Sequence, residues 1–271
     1  MAEISVIWLR VATFLYSLGL LHAILAITQR RENLFRIAIT AARVGILLHL
    51  VSIIEQGLIT GRCPVVTLYE ILSLSALILM SLFLFVHWRY KMDSFSVLLF
   101  PLVFVMTLVA TMGRPVAAWS NATIRSAWLT THVVLVLLGY AALFLTALSA
   151  MMYLMQEREL KRKTPRQSYY RLPPLGTLDE VISRSMAAGF IFITLATIAG
   201  STWAFIELGT SWISDPRISI SFITWGICLA MICLRVTAGW RGRKAAIMAL
   251  TALGCSAITW ATHRGLINLT Q

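Results

Sequence analysis

The residues able to do chemistry in this sequence are five histidines, four cysteines and one cluster of indoles. Cys63, Cys228, Cys233 and Cys255 form neither C-x-x-C nor C-x-x-C-H, which excludes dithiol redox chemistry and thioether attachment of a cofactor to this chain. Imidazoles ligate metals and carry protons, and three of them stand in suggestive surroundings: His49 in Gly45-Ile-Leu-Leu-His49, His132 in Trp128-Leu-Thr-Thr-His132, and His263 in Trp260-Ala-Thr-His263-Arg264. The segment from Gly200 to Arg217 is the one place where indoles (Trp203, Trp212), glycines (Gly200, Gly209) and a carboxylate (Asp215) gather outside a continuous apolar span.

What positions these residues is a set of apolar helices. With 59% hydrophobic and 13% charged residues and a mean hydropathy of +0.82, the chain is too apolar for a soluble globule and reads as an integral membrane protein in contact with the lipid bilayer. A bilayer-crossing helix needs about 20 apolar residues. Eight stretches approach that length, over 4–28, 37–58, 68–88, 95–112, 128–155, 185–208, 218–234 and 245–262, which predicts an all-α bundle of eight transmembrane helices. Pro101 falls inside the fourth and is expected to kink it unless neighbours satisfy the freed carbonyl. No separate soluble domain and no internal repeat is visible, so residues 1–271 read as one polytopic domain. The first stretch lacks a basic leader and reads as a retained span.

Charge sets the orientation. Sixteen Lys and Arg lie in the connections after spans one, three, five and seven, against five (Arg62, Arg114, Arg125, Arg217, Arg264) on the other side. Basic residues held in short blocks between spans are topological signals rather than a nucleic-acid surface. The positive-inside bias places the sixteen-charge side in the cytoplasm and both termini outside, with 156–184 a basic cytoplasmic loop. That loop can lie against anionic lipid or dock a soluble partner. The segment 200–218 becomes an external loop between helices six and seven. His132, entering span five, and His263, leaving span eight, fall on the same outer face as Trp203 and Trp212.

The 200–217 segment resembles the tryptophan-rich "WWD" loop of the cytochrome c assembly family of CcsA, CcmC and HemX-like proteins. Trp203-Ala204, Gly209, Trp212 and Asp215-Pro216-Arg217 fall in its register, followed by Ile223-Thr224-Trp225. Leu208, Ser214 and Ile220 stand where the family has tryptophan, and Ile218 where it has glutamate. Two further stretches match: Trp128 to Ala142 is similar to the family's W-x-x-x-H-V segment with its downstream Y-A-A, and Gly61-Arg62-Cys63-Pro64 to Tyr69-Glu70 resembles its G-R-x-P-x-x-N-L-Y-E stretch. The resemblance thus covers most of the chain. Its sharpest departure is Cys233, where the family places a membrane-embedded histidine.

The resemblance implies haem b as the bound group, with His132 and His263 as axial ligands and Trp203 and Trp212 as an indole platform. Arg217, with Arg125 and Arg264, would then pair with propionates. Each has a plainer account. The histidines suit a membrane interface, the indoles an aromatic belt, and the arginines can meet lipid phosphates. Asp215-Pro216 is a good helix start without any haem. His49 is a candidate for a haem or proton-path role, or a partner of Glu70 or a backbone carbonyl. Either Cys233 ligates iron as a thiolate, or the inner haem site is altered or absent. By resemblance the chain handles haem in System II cytochrome c maturation in a bacterial-type inner membrane. It would work beside a ResB/CcsB-like partner and an apocytochrome c, at most as part of a synthase. The alternatives are a HemX-type regulator of tetrapyrrole biosynthesis and a haem-binding subunit of a larger membrane complex.

Overall fold

The computed structural model describes residues 2–29, 32–65, 67–113, 123–161, 172–208, 216–254 and 257. The described residues are helical and contain no strand. They divide into two compact units, residues 1–126 and 127–271. Six helices are long and apolar enough to cross a membrane, so the chain is a multi-pass membrane protein. A seventh apolar helical stretch, Ser221–Thr237, is shorter. Of the expected eighth span, 245–262, residues 245–254 are helical, in a stretch that begins at 243, while 255, 256 and 258–262 lie outside the described residues.

The first unit holds α1 (Ala2–Gln29), α2 (Glu32–Thr60), α3 (Leu68–Tyr90) and α4 (Ser96–Ala110). Aromatic side chains fill its centre at the expense of side chains on the facing helix. A Cβ on Gly19 would stand 2.5 Å from Phe100 Cε1, and one on Gly45 2.7 Å from Tyr16 Cε1. Phe100 in turn meets Phe83 edge-on at 5.6 Å between ring centres. Helix α4 runs uninterrupted through Pro101.

The corner between α2 and α3 is built from the Gly61-to-Glu70 motif. Gly61 takes a positive φ of 65°, open to glycine at no steric cost. Thr67 caps α3, its Oγ1 accepting from Glu70 N at 3.2 Å while Glu70 Oε2 accepts from Thr67 N at 3.1 Å. Arg62 then clamps the same carboxylate in a fork, Nη1 to Oε2 at 3.1 Å and Nη2 to Oε1 at 3.0 Å. One glutamate therefore ends the turn and starts the helix.

The second unit holds α5 (Thr123–Leu160), α6 (Leu175–Leu208), α7 (Pro216–Thr237) and the helical residues 243–254. Helices α5 and α6 are longer than the apolar pattern implies. Residues 156–160 and 175–184 belong to them, so the long polar connector narrows to 161–174, of which 162–171 lie outside the described residues. Hydropathy stops counting where polar residues begin, but ion pairs one turn apart support the extensions: Lys161 with Glu157 and Arg184 with Glu180, both 2.7 Å. At its other end α6 runs to Leu208, as the apolar stretch 185–208 predicts, so residues 200–208 of the segment expected as an external loop are helical; α7 starts at Pro216, and 209–215 lie outside the described residues.

Helices α5 and α6 run antiparallel with their backbones close. A Cβ on Gly139 would meet Ile193 Cγ1 at 2.7 Å and Ile193 N at 3.3 Å; one on Gly189 would stand 3.4 Å from Gly139 O. Such small-residue contacts are how helices associate where lipid removes the hydrophobic drive. Below this crossing Thr146 and Ser185 hydroxyls meet at 2.7 Å. Ala150, Ile182, Ala245, Ala246 and Ala249 form a buried cluster that seats the last helical stretch.

Because backbone as well as side chain blocks the space, Gly139→Ala is expected to destabilise the protein by about 1–3 kcal/mol. A Cβ on Gly176 meets nothing within 4 Å, so Gly176→Ala should be near neutral. Unfolding in mixed dodecyl maltoside and SDS micelles checks the pair; equal midpoints would contradict the close crossing.

Candidate functional site

His132 and Trp128 lie one turn apart on α5, and both reach backbone oxygens of α6. Trp128 Nε1 donates to Ala199 O at 2.7 Å, and His132 Nδ1 lies 2.8 Å from Ala196 O. A carbonyl only accepts, so Nδ1 carries the hydrogen and the lone pair sits on Nε2. No hydrogen-bond partner for Nε2 is found among the described residues. The carbonyl thus fixes the tautomer and the direction of the ring.

Gly200 makes the arrangement possible. A Cβ there would lie 2.6 Å from His132 Cε1 and 2.8 Å from Nδ1. The imidazole therefore lies over bare backbone, in space any other residue would fill. Ala196, Ala199, Gly200 and Trp203 recur at helical spacing on one face of α6. Trp203, expected in a loop, is thus a residue of α6, half-buried, and its Nε1 is buried without a hydrogen-bond partner among the described residues. In the sequence Gly200 stands out only as the start of a motif; its role rests on the i, i+4 spacing to Ala196, a signal that has meaning once α5 is known to face it.

The structure describes only some of the other expected site residues. Trp212, Asp215 and His263 lie outside the described residues, as do Arg264 and the side chains of Arg125 and Arg217; Arg217 itself is in the first turn of α7. Trp225 is an internal packing residue, its Nε1 donating to Thr194 Oγ1 at 3.0 Å and its ring stacked on Phe190. Cys233 is exposed on α7, whereas Cys228 is buried with Leu143 and Ile193.

His49 is fully buried in the first unit with both nitrogens engaged, Nδ1 3.3 Å from Tyr16 Oη and Nε2 2.9 Å from Ser73 Oγ. Its partners are these hydroxyls rather than Glu70, whose carboxylate is taken by Arg62 and the α3 cap. As a metal ligand it would have to release one of them. His22 bonds the Leu18 carbonyl at 2.8 Å, and the His87 carbonyl accepts the capping N–H of Lys91.

The described residues thus belong to a multi-pass helical membrane protein that holds the His132 imidazole by its Nδ1 one turn from Trp128. The profile of the cytochrome C assembly protein family matches residues 65–264, and the chain belongs to that family. Among its relatives are proteins named cytochrome c biogenesis protein CcsA. That of Prochlorococcus marinus (strain MIT 9301) is 28% identical over 245 residues, covering 82% of this chain and 79% of the relative. That of Microcystis aeruginosa (strain NIES-843 / IAM M-2473) is 28% identical over 257 residues, 77% of each. The Guillardia theta protein is 26% identical over 285 residues, covering 97% and 91%.

Two outcomes test this geometry. Gly200→Ala should displace the His132 ring and raise its reactivity toward diethyl pyrocarbonate about threefold or more, by loss of a bond of roughly 1 kcal/mol. Gly226→Ala, where a Cβ meets nothing within 4 Å, should not. At the α2–α3 corner, burial pushes the Cys63 thiol up, Glu70 pushes it further, and Arg62 opposes them. Only the thiolate is alkylated, so the iodoacetamide rate should rise at higher pH for Cys63 than for a free cysteine. A profile matching free cysteine would contradict that placement.

Proposed function

We propose that the chain handles haem in System II cytochrome c biogenesis, presenting it at the outer face of a bacterial-type inner membrane for attachment to an exported apocytochrome c. The observation that carries this reading is His132, clamped by Ala196 O over Gly200 with Nε2 open, in a chain whose relatives are named for cytochrome c biogenesis. Those names favour it over the tetrapyrrole-regulator alternative. His132 and His263 are the proposed axial ligands. Trp203 and Trp212 form the apolar face, and Arg217 is the cation for a propionate. Asp215 is read from the sequence alone as the N-cap before Pro216. His49 is assigned the proton-path role of its two expected alternatives, since hydroxyls already hold both its nitrogens.

The proposal extends to eight spans, both termini outside, an external 200–218 segment and a ResB/CcsB-like membrane partner. When bound, haem would supply vinyl groups able to accept cysteine thiols; His132 and His263 would hold it, Trp203 and Trp212 would offer an apolar surface, and the chain's own contribution would be position. Placing two groups in register is a large share of such a reaction, since no strong acid or base among the described residues is needed to do it.

The test is a reduced-minus-oxidised spectrum of the detergent-purified protein, coexpressed with a ResB-like partner. Wild type should show the Soret and α-bands of bis-histidine haem. His132→Ala and His263→Ala should each retain about tenfold less haem, the scale of lost metal affinity when a ligand shell is broken. Exogenous imidazole should restore the bands in either variant. Haem that persists unchanged in both variants, or wild type that takes up none, would sink the proposal.

A further inference from the structure

Close to His49 the first unit contains a second polar feature that haem handling does not use. The ends of α1, α2 and α3, with the last turn of α4, line a partly open cavity with ≈ 20 Å³ of room for water. A single water needs roughly 10–15 Å³ by this measure. Its wall includes Ser5, Ser52, Gln56, Glu70 and Ser73, an unusually polar set for the interior of apolar helices. Ser52 Oγ is already committed to Ser5 O at 2.6 Å. Ser73 is the shared member: it lines the cavity and it holds His49.

The direction of the hydrogen-bond chain depends on which end has an outlet. Tyr16 Oη, His49 and Ser73 Oγ form a row in which each hydrogen must point one way. Were Ser73 to donate to Nε2, Nδ1–H would donate to Tyr16, and the tyrosine hydrogen would need an acceptor. Tyr16 is fully buried against Gly45, and no second polar contact to its hydroxyl is found among the described residues. With the opposite polarity Tyr16 donates to Nδ1 and Nε2–H donates to Ser73. The serine hydrogen then points toward the cavity, where water can accept it. Leaving either hydroxyl unbonded would cost about 1–3 kcal/mol, so the second polarity is the stable one.

We propose that this cavity binds ordered water, and that the water, Ser73 and His49 form a proton-exchange path from the Arg62–Glu70 corner into the centre of the first unit. The Nε2 hydrogen passes to Ser73 Oγ as the serine hydrogen passes to the water, and a solvent hydrogen returns to Nε2 by the same route, so that the hydrogen is exchanged and the starting protonation restored. No bond between heavy atoms changes, and each step conserves charge. The titratable groups facing the row are Tyr16 from α1 and Glu70 from α3, the latter paired with Arg62; α4 contributes none. The path lies within the first unit alone and does not depend on haem.

The experiment measures exchange of the His49 imidazole N–H with solvent. Full-length protein labelled with ¹⁵N-histidine is placed in lipid nanodiscs. Exchange is followed by magnetisation transfer from water and, where slow, by transfer into D₂O, with the resonance assigned by its loss in His49→Gln. Ser73→Ala removes the link, and Ala110→Leu fills the cavity from α4, where Ala110 lines it. Each should slow exchange at least about tenfold, because it then requires the helices to open. Ser73→Thr, which keeps the hydroxyl, should exchange near the wild-type rate. Backbone amides of α2 report whether a variant has loosened the unit; if Ala110→Leu has, Ser73→Ala against Ser73→Thr decides. A His49 N–H that exchanges equally in wild type, Ser73→Ala and Ser73→Thr overturns the proposal.

Discussion

The constraint on which this structure depends is that hydrocarbon solvates no polar group, so every N–H and hydroxyl inside must find its partner within the protein. Helix backbones already pair internally, and the side chains borrow from them. Trp128 and His132 use carbonyls that also close α6 turns, and Thr13, Thr107, Thr146 and Ser149 bond the carbonyl one turn back on their own helices. Reaching across to a neighbouring helix is possible only where that helix presents little side chain. The alanines and glycines at 189, 196, 199 and 200 are therefore part of the site as much as the histidine is.

The two central histidines meet that constraint in different ways. His49 spends both nitrogens on hydroxyls of neighbouring helices and ties three helices together. His132 spends one on a backbone carbonyl and keeps the other basic. The residue type and the apolar setting are the same. Only the neighbours differ: Ser73 and Tyr16 bring hydroxyls that can donate or accept, whereas the α6 surface at Ala196 and Gly200 brings only an acceptor and empty space.

Much of this was legible in the sequence. Long apolar runs gave the helices, because composition alone decides whether a segment tolerates lipid. The corner motif was legible too, since Thr67-x-x-Glu70 is a capping box on its face, and Pro216 begins α7 as its ring predisposes it to do. Helix ends were less visible. Residues 175–184 are polar, and hydropathy cannot distinguish a polar loop from a helix that has left the bilayer; the pairing of Glu180 with Arg184 can. Trp203 fell where the apolar stretch 185–208 overlaps the loop expected over 200–218, and it belongs to the helix. Which acceptor a side chain finds was not legible at all, because Ala196 and Ser73 are 64 and 24 residues from the histidines they hold.

Helix α7 carries the same reasoning to the tryptophan-rich segment. It is fixed to α6 at two levels: Trp225 bonds Thr194 and stacks on Phe190, while Arg235 reaches Asp179 at 3.0 Å and Ser183 at 3.1 Å. Asp179 also accepts from Gly242 N, so one carboxylate holds both α7 and the turn after it. Two anchors about three turns apart determine both the height and the rotation of α7 against α6. They set the separation of Leu208 from Pro216, and residues 209–215 must span what those helix ends leave. A change at Asp179 or Thr194 would therefore alter the spacing of the two helix ends that residues 209–215 connect.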